Sequence, residues 1–204
     1  TITSITSCTD NYMDYNKNPY EVTDDEMERD AHKLGAALVG MQSVIVPVGE
    51  HLAQFSECLL GGVFSGYMAD SKTWGNQSED WNGKVYLDIM PEIYSNLAEV
   101  KKSTTDPIPL AVAEVLKVTA IVRVTDVYGP IPYSQVGQDG KLTAPFDTQK
   151  DVYTKMFQEL SDAITTLTAN RTNDFSPNAD QVFGGKVEKW IKFANSLKLR
   201  MAIR

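Results

Sequence analysis

The chain has 204 residues, 42% of them hydrophobic and 23% charged, with a formal net charge of −8. This length and apolar content suffice for one packed core and exclude a disordered chain. The acidic balance argues against binding to nucleic-acid phosphates, and no apolar run approaches the ~18 residues of a membrane-spanning helix.

Residues 1–22 show no helical period. Ile5-Thr6-Ser7-Cys8 places small residues just before a cysteine, as a bacterial lipoprotein cleavage site does. Two readings stand: Cys8 is acylated and the residues before it are a signal remnant, or it is an exposed cysteine in a loose end. The Asn- and Tyr-rich segment after Cys8 suits a polar tether. The expected organisation is therefore a remnant and tether over 1–22 and a helical region over 23–204. The chain begins with Thr and its last helical pattern meets no Gly or Pro stop after Met201, so both ends are expected to be truncations.

The first helix opens on the capping box Thr23-Asp24-Asp25-Glu26 and carries an apolar stripe of Met27, Ala31, Leu34, Leu38, Met41 and Ile45, up to Pro47. A second helix is expected over Glu50–Phe64, with Leu52, Phe55, Leu59 and Val63 inward. A long loop follows from Ser65 to Asn82. The third helix spans Lys84–Lys101, with Pro91 expected to kink or break it. The fourth, Pro109–Tyr128, has one stripe of Ala113, Leu116, Ala120, Val124 and Val127 and another of Val112, Val115 and Val122. A helix apolar on two faces lies between neighbours. Gly129 stops it, and Pro130 and Pro132 stiffen the connector to Tyr133. A polar loop covers 134–147. Thr148 then caps a fifth helix, with Asp151 three residues on and Tyr153, Met156, Phe157, Leu160, Ile164 and Leu167 inward. Residues 169–184 form another loop. Trp190, Ala194, Leu197 and Met201 mark a sixth helix. The expected fold is all-α, without strands: antiparallel helix pairs stacked as in a solenoid, joined by long loops.

Catalytic signatures are absent. The sequence holds no HExxH, GxSxG, P-loop or GxGxxG pattern. His32 and His51 lack ligand spacing, and neither cysteine belongs to a CxxC pair, so no metal or cofactor is expected. Cys58, beside Leu59 and Leu60, reads as a small core residue. Arg123 and Asp126 stand one helical turn apart and can pair. The best site candidate is the loop 65–82. Tyr67, Trp74 and Trp81 offer flat apolar faces, while Asn76, Gln77, Asp80 and Asn82 offer hydrogen-bonding groups. Sugar rings present C–H faces and hydroxyl rims, which match that combination. The competing reading is that both tryptophans anchor the loop by burial.

Several segments, in order, resemble one family. They are CTDNYMDYNKNP at 8–19, FSGYMADSKTW at 64–74, RVTDVYGPIPYS at 123–134, PFDTQKDVYTKMFQELSDAITTL at 145–167 and KVEKWIKFANSLKLRMAIR at 186–204. Together they resemble the SusD-like (SusD/RagB) surface lipoproteins of Bacteroidetes. The resemblance implies a tetratricopeptide-like helical-pair solenoid, acylation of Cys8 and a place at the outer-membrane surface. It implies a nutrient-binding role without catalysis, partnered with a SusC-type TonB-dependent transporter, with oligosaccharide or in some members peptide as ligand. Contact with the membrane is expected through the lipid alone. Without the resemblance, the helical pattern also fits an interior adaptor that binds other proteins.

Overall fold

The computed structural model describes residues 31–46, 54, 58, 61–63, 65–67, 79–137 and 143–204, with the backbone alone at 79–82. Cys8, the Thr23 capping box, His51, Trp74, Asn76 and most of Glu50–Phe64 lie outside the described residues. The chain divides into two compact units, Thr1–His32 and Lys33–Arg204, and the helical stack is the second.

Five helices are described: α1 His32–Ser43, α2 Glu79–Ser103, α3 Pro107–Tyr128, α4 Gln149–Ala169 and α5 Val187–Ile203. In α1, Leu38 and Met41 are fully buried, as their stripe requires. Ala31 departs from that stripe. It is exposed, has a φ of 50° and stands before the helix, so among the described residues the stripe runs from Leu34 to Ile45. Val63 is buried, as expected, but Cys58 is exposed and not in the core.

α2 passes through Pro91 without a break. The proline removes one intrahelical hydrogen bond. Burial of Val85, Ile89, Met90, Ile93, Leu97 and Val100 holds the helix together around it. α2 also begins five residues earlier than expected. Trp81 and Asn82 therefore belong to its first turn and not to the preceding loop.

Three residues, 104–106, return the chain into α3, which a short connector can do only by making neighbouring helices antiparallel. Asp106 caps α3 by accepting from the Ile108 amide at 2.9 Å, and Pro107 suits the first turn. Both predicted apolar stripes of α3 are buried, apart from Val127, which is exposed at the helix end. Its many β-branched residues are poor helix formers, so tertiary packing decides the conformation here. α3 packs against α2, α4 and α5, and α4 against α5.

Gly129 ends α3 at a φ of 74°, a region glycine enters without strain. Its amide donates to the Thr125 carbonyl at 2.8 Å, and Thr125 Oγ1 donates to the Gly129 carbonyl at 2.7 Å. The proline-rich connector then forms a short antiparallel pair, β1 Ile131–Pro132 with β2 Phe146–Asp147. The expectation of no strand is thus corrected by a two-residue ladder. The Asp147 carboxylate closes the base of the intervening loop. It accepts from the amides of Tyr133 (3.1 Å) and Ser134 (2.6 Å) and from Ser134 Oγ (2.8 Å). Thr148 caps α4 as predicted, its hydroxyl accepting from the Asp151 amide at 3.2 Å.

The segment between α4 and α5 is organised by Asp180, whose residue surface is 2% exposed. Its carboxylate accepts from the amides of Val182, Phe183 and Gly185 and from Trp190 Nε1, at 2.8–3.0 Å. Trp190 is fully buried and meets Phe183 and Phe193 edge to face. Gln42 ties α1 to the same segment. Its Nε2 donates to the Ala179 carbonyl at 3.0 Å, and its Oε1 accepts from the Gln181 amide at 2.8 Å.

Candidate functional site

The aromatic loop is described at its two ends. The turn after Val63 is set by the amides of Ser65 and Gly66, which donate to the Gly61 and Val63 carbonyls at 3.0 Å each. Gly66 has a φ of 78°, which turns the chain sharply. Tyr67 follows with 92% of its surface exposed. That ring is available to stack on a ligand and contributes nothing to the core. At the far end, Trp81 and Asn82 stand in the first turn of α2. Trp74, Asn76 and Gln77 lie between, outside the described residues.

A second polar assembly had no place in the sequence reading. Lys117 of α3, with its side chain 8% exposed, is held by Glu114 at 2.6 Å and by Glu159 of α4 at 2.9 Å. Its ammonium also lies 5.2 Å from the centre of the Tyr133 ring. Tyr133 donates its hydroxyl to Glu159 in a short hydrogen bond. Lys101 of α2 reaches Glu114 at 3.0 Å. Burial works to raise the Glu114 carboxyl pKa, but Lys117 and Lys101 outweigh it, and the group is held below its ordinary range. Burial, and then Glu159, push the Tyr133 phenol well above its usual value. Tyr133 is therefore a buried packing residue with a structural hydrogen bond. The cluster clamps α2, α3 and α4 to the proline-rich connector. Both carboxylates are engaged with the same ammonium. The signal was present in the sequence as Glu114 and Lys117, two charges in the apolar middle of α3.

Beside this cluster lies a groove of about 680 Å³ walled by Lys101, Leu110, Glu114, Glu159, Asp162 and Thr166, among others. A smaller cavity of about 200 Å³ sits at the end of α5, lined by Asp126, Tyr153, Leu197, Arg200 and Arg204, among others. There Asp126 accepts from Tyr153 Oη at 2.5 Å and pairs with Arg204 at 3.0 Å. These two partners come from α4 and from the residue after α5. Among the described residues no His, Cys, Asp or Glu group could hold a metal ion, and no helix is long and apolar enough to cross a membrane.

Comparison with known proteins places these features. The SusD-like family, described as Susd and RagB outer membrane lipoprotein, matches residues 14–204. A SusD homologue from Bacteroides uniformis is 46% identical, with a TM-score of 0.74 over 84% of this chain and 38% of its own. One from Bacteroides ovatus is 37% identical, with a TM-score of 0.75 over 85% of this chain and 37% of its own. A chitin-binding SusD homologue from Flavobacterium johnsoniae is 29% identical, with a TM-score of 0.72 over 83% of this chain and 38% of its own. The chain therefore spans well under half the length of these solved relatives. The stack of helical pairs is the tetratricopeptide-like arrangement of SusD-like structures. A search among curated proteins gives no match.

Proposed function

This chain belongs to the SusD-like family of outer-membrane lipoproteins, and we propose that it is the helical part of a surface-exposed, oligosaccharide-binding uptake protein. Cys8 carries the lipid and the residues after it form the tether. The protein partners a SusC-type TonB-dependent transporter and hands its ligand on without altering it. The ligand is held by Tyr67, Trp74, Asn76, Trp81 and Asn82, with rings stacking on sugar faces and amides bonding to hydroxyl rims. The observation that carries this reading is the fully presented ring of Tyr67 at the start of that loop. An exposed tyrosine offers a flat apolar face with a polar tip, the combination that suits a sugar ring and its hydroxyl rim. The chitin-binding relative supports a carbohydrate over a peptide. Membership in a lipoprotein family weighs against an interior adaptor.

The test is titration of the full-length protein with chitin hexasaccharide, alongside α-glucan and β-glucan hexasaccharides. Replacing both Trp74 and Trp81 by Ala is expected to weaken binding by about thirtyfold, the loss of about 2 kcal/mol typical of aromatic hot spots. The circular dichroism of the helices should not change. Unaltered affinity in that double variant removes the loop from the site.

A further inference from the structure

We propose that Tyr128 is a positioning residue for the ligand loop, acting through Tyr86 on the first turn of α2; the proposal rests on the reading of that loop as the oligosaccharide site. The first turn of α2 reads Glu79-Asp80-Trp81-Asn82-Gly83. Asp, Asn and Gly are weak helix formers, so this turn needs an external hold. Among the described residues, the only atom near the position a Cβ would take at Gly83 is Leu87 Cδ1 of the same helix, at 3.5 Å. Packing begins at Val85, which is buried, and at Tyr86.

Tyr86 meets Tyr128 in two ways. Their rings stand edge to face, with centroids 6.1 Å apart and planes at 84°. The Tyr86 amide also donates to Tyr128 Oη at 3.3 Å. That hydrogen bond is long, so the ring contact supplies most of the hold. Burial pushes the Tyr128 phenol above its ordinary pKa, while the Tyr86 amide, donating to its oxygen, works the other way. Tyr128 is the last residue of α3, the most deeply packed helix, and the Gly129 cap fixes its backbone. A half-buried side chain packed against the edge of the core is thus connected to a turn that carries two proposed ligand residues, Asn82 and Trp81, four and five positions before Tyr86.

The experiment compares full-length wild type with Tyr128→Ala and Tyr128→Phe, reading amide hydrogen exchange by segment and the affinity for chitin hexasaccharide. Tyr128→Ala is expected to accelerate exchange over residues 79–86 by about tenfold, the ratio that loss of an aromatic pair implies. Exchange in α4 and α5 should stay as in wild type, and affinity should fall about fivefold. Tyr128→Phe keeps the ring and should restore both readouts to near wild type. Unchanged exchange over 79–86, or a uniform rise across α2 to α5, overturns the positioning role. Faster local exchange with undiminished hexasaccharide binding also overturns it. A wild-type protein that binds no hexasaccharide overturns the ligand reading on its own, while the exchange result still decides whether the anchor exists.

Discussion

Replacing Asp180 with alanine is expected to lower the unfolding free energy by about 3–5 kcal/mol, read by urea denaturation. The carboxylate is buried and serves four donors at once, three backbone amides and the indole of Trp190. Alanine would leave those donors facing an apolar pocket. Each unsatisfied buried group costs about 1–3 kcal/mol, and some of that is recovered as the segment relaxes toward water. Trp190 would suffer most, because its ring is fixed between Phe183 and Phe193 and its Nε1 has no alternative direction. Asp180→Asn should cost less, since one carbonyl oxygen remains for the Val182 and Phe183 amides. A loss below about 1 kcal/mol for alanine would mean that the segment does not depend on this carboxylate.

Glu159→Ala is expected to cost about 2–4 kcal/mol, somewhat less than a fully buried pair because the glutamate side chain is 18% exposed. Two groups lose their partner together. Lys117 keeps only Glu114, and the Tyr133 hydroxyl loses its acceptor in a buried site. The combination Glu159→Ala with Lys117→Met should cost less than the sum of the two single changes. Removing the ammonium as well as the carboxylate leaves no unpaired charge, and Glu114 retains Lys101. Strict additivity in a double-mutant cycle would contradict the account of this cluster as one coupled clamp.

Much of the helical architecture was legible because it rests on local periodicity. The buried faces of α3 and α5 follow from spacings of three and four, whereas in α4 Met156, Leu160 and Leu167 are buried as expected, Tyr153, Phe157 and Ile164 only partly, and Val152 and Ala163 complete the face; the caps at Thr148 and Gly129 follow from residue chemistry at the helix ends. The start of α2 was not legible. Asp80, Asn82 and Gly83 are turn-like by composition, and the packing that favours a helix here, with Val85 and Ile89 buried, lies further on. The two-residue ladder at Ile131–Pro132 carries no alternating pattern, because its partner lies beyond a loop and is selected by the side chain of Asp147. The Lys117 clamp escaped notice for a related reason. Glu114 and Lys117 are adjacent on one helix, but the third member, Glu159, comes from α4 and meets them only in the folded chain. Of the proposed site, Tyr67 is exposed at the beginning of the loop. Trp81 shows the limit of composition, since it belongs to a helix by backbone and to an aromatic loop by chemistry.

The central claim is that this chain serves nutrient uptake at the outer-membrane surface. The most direct measurement is isolation of the full-length protein from its native outer membrane, with mass spectrometry of the N-terminal peptide and of whatever is isolated with it. The account predicts an acylated Cys8 and a large TonB-dependent barrel in the same complex. A soluble protein with a free Cys8 thiol and cytosolic partners would contradict it.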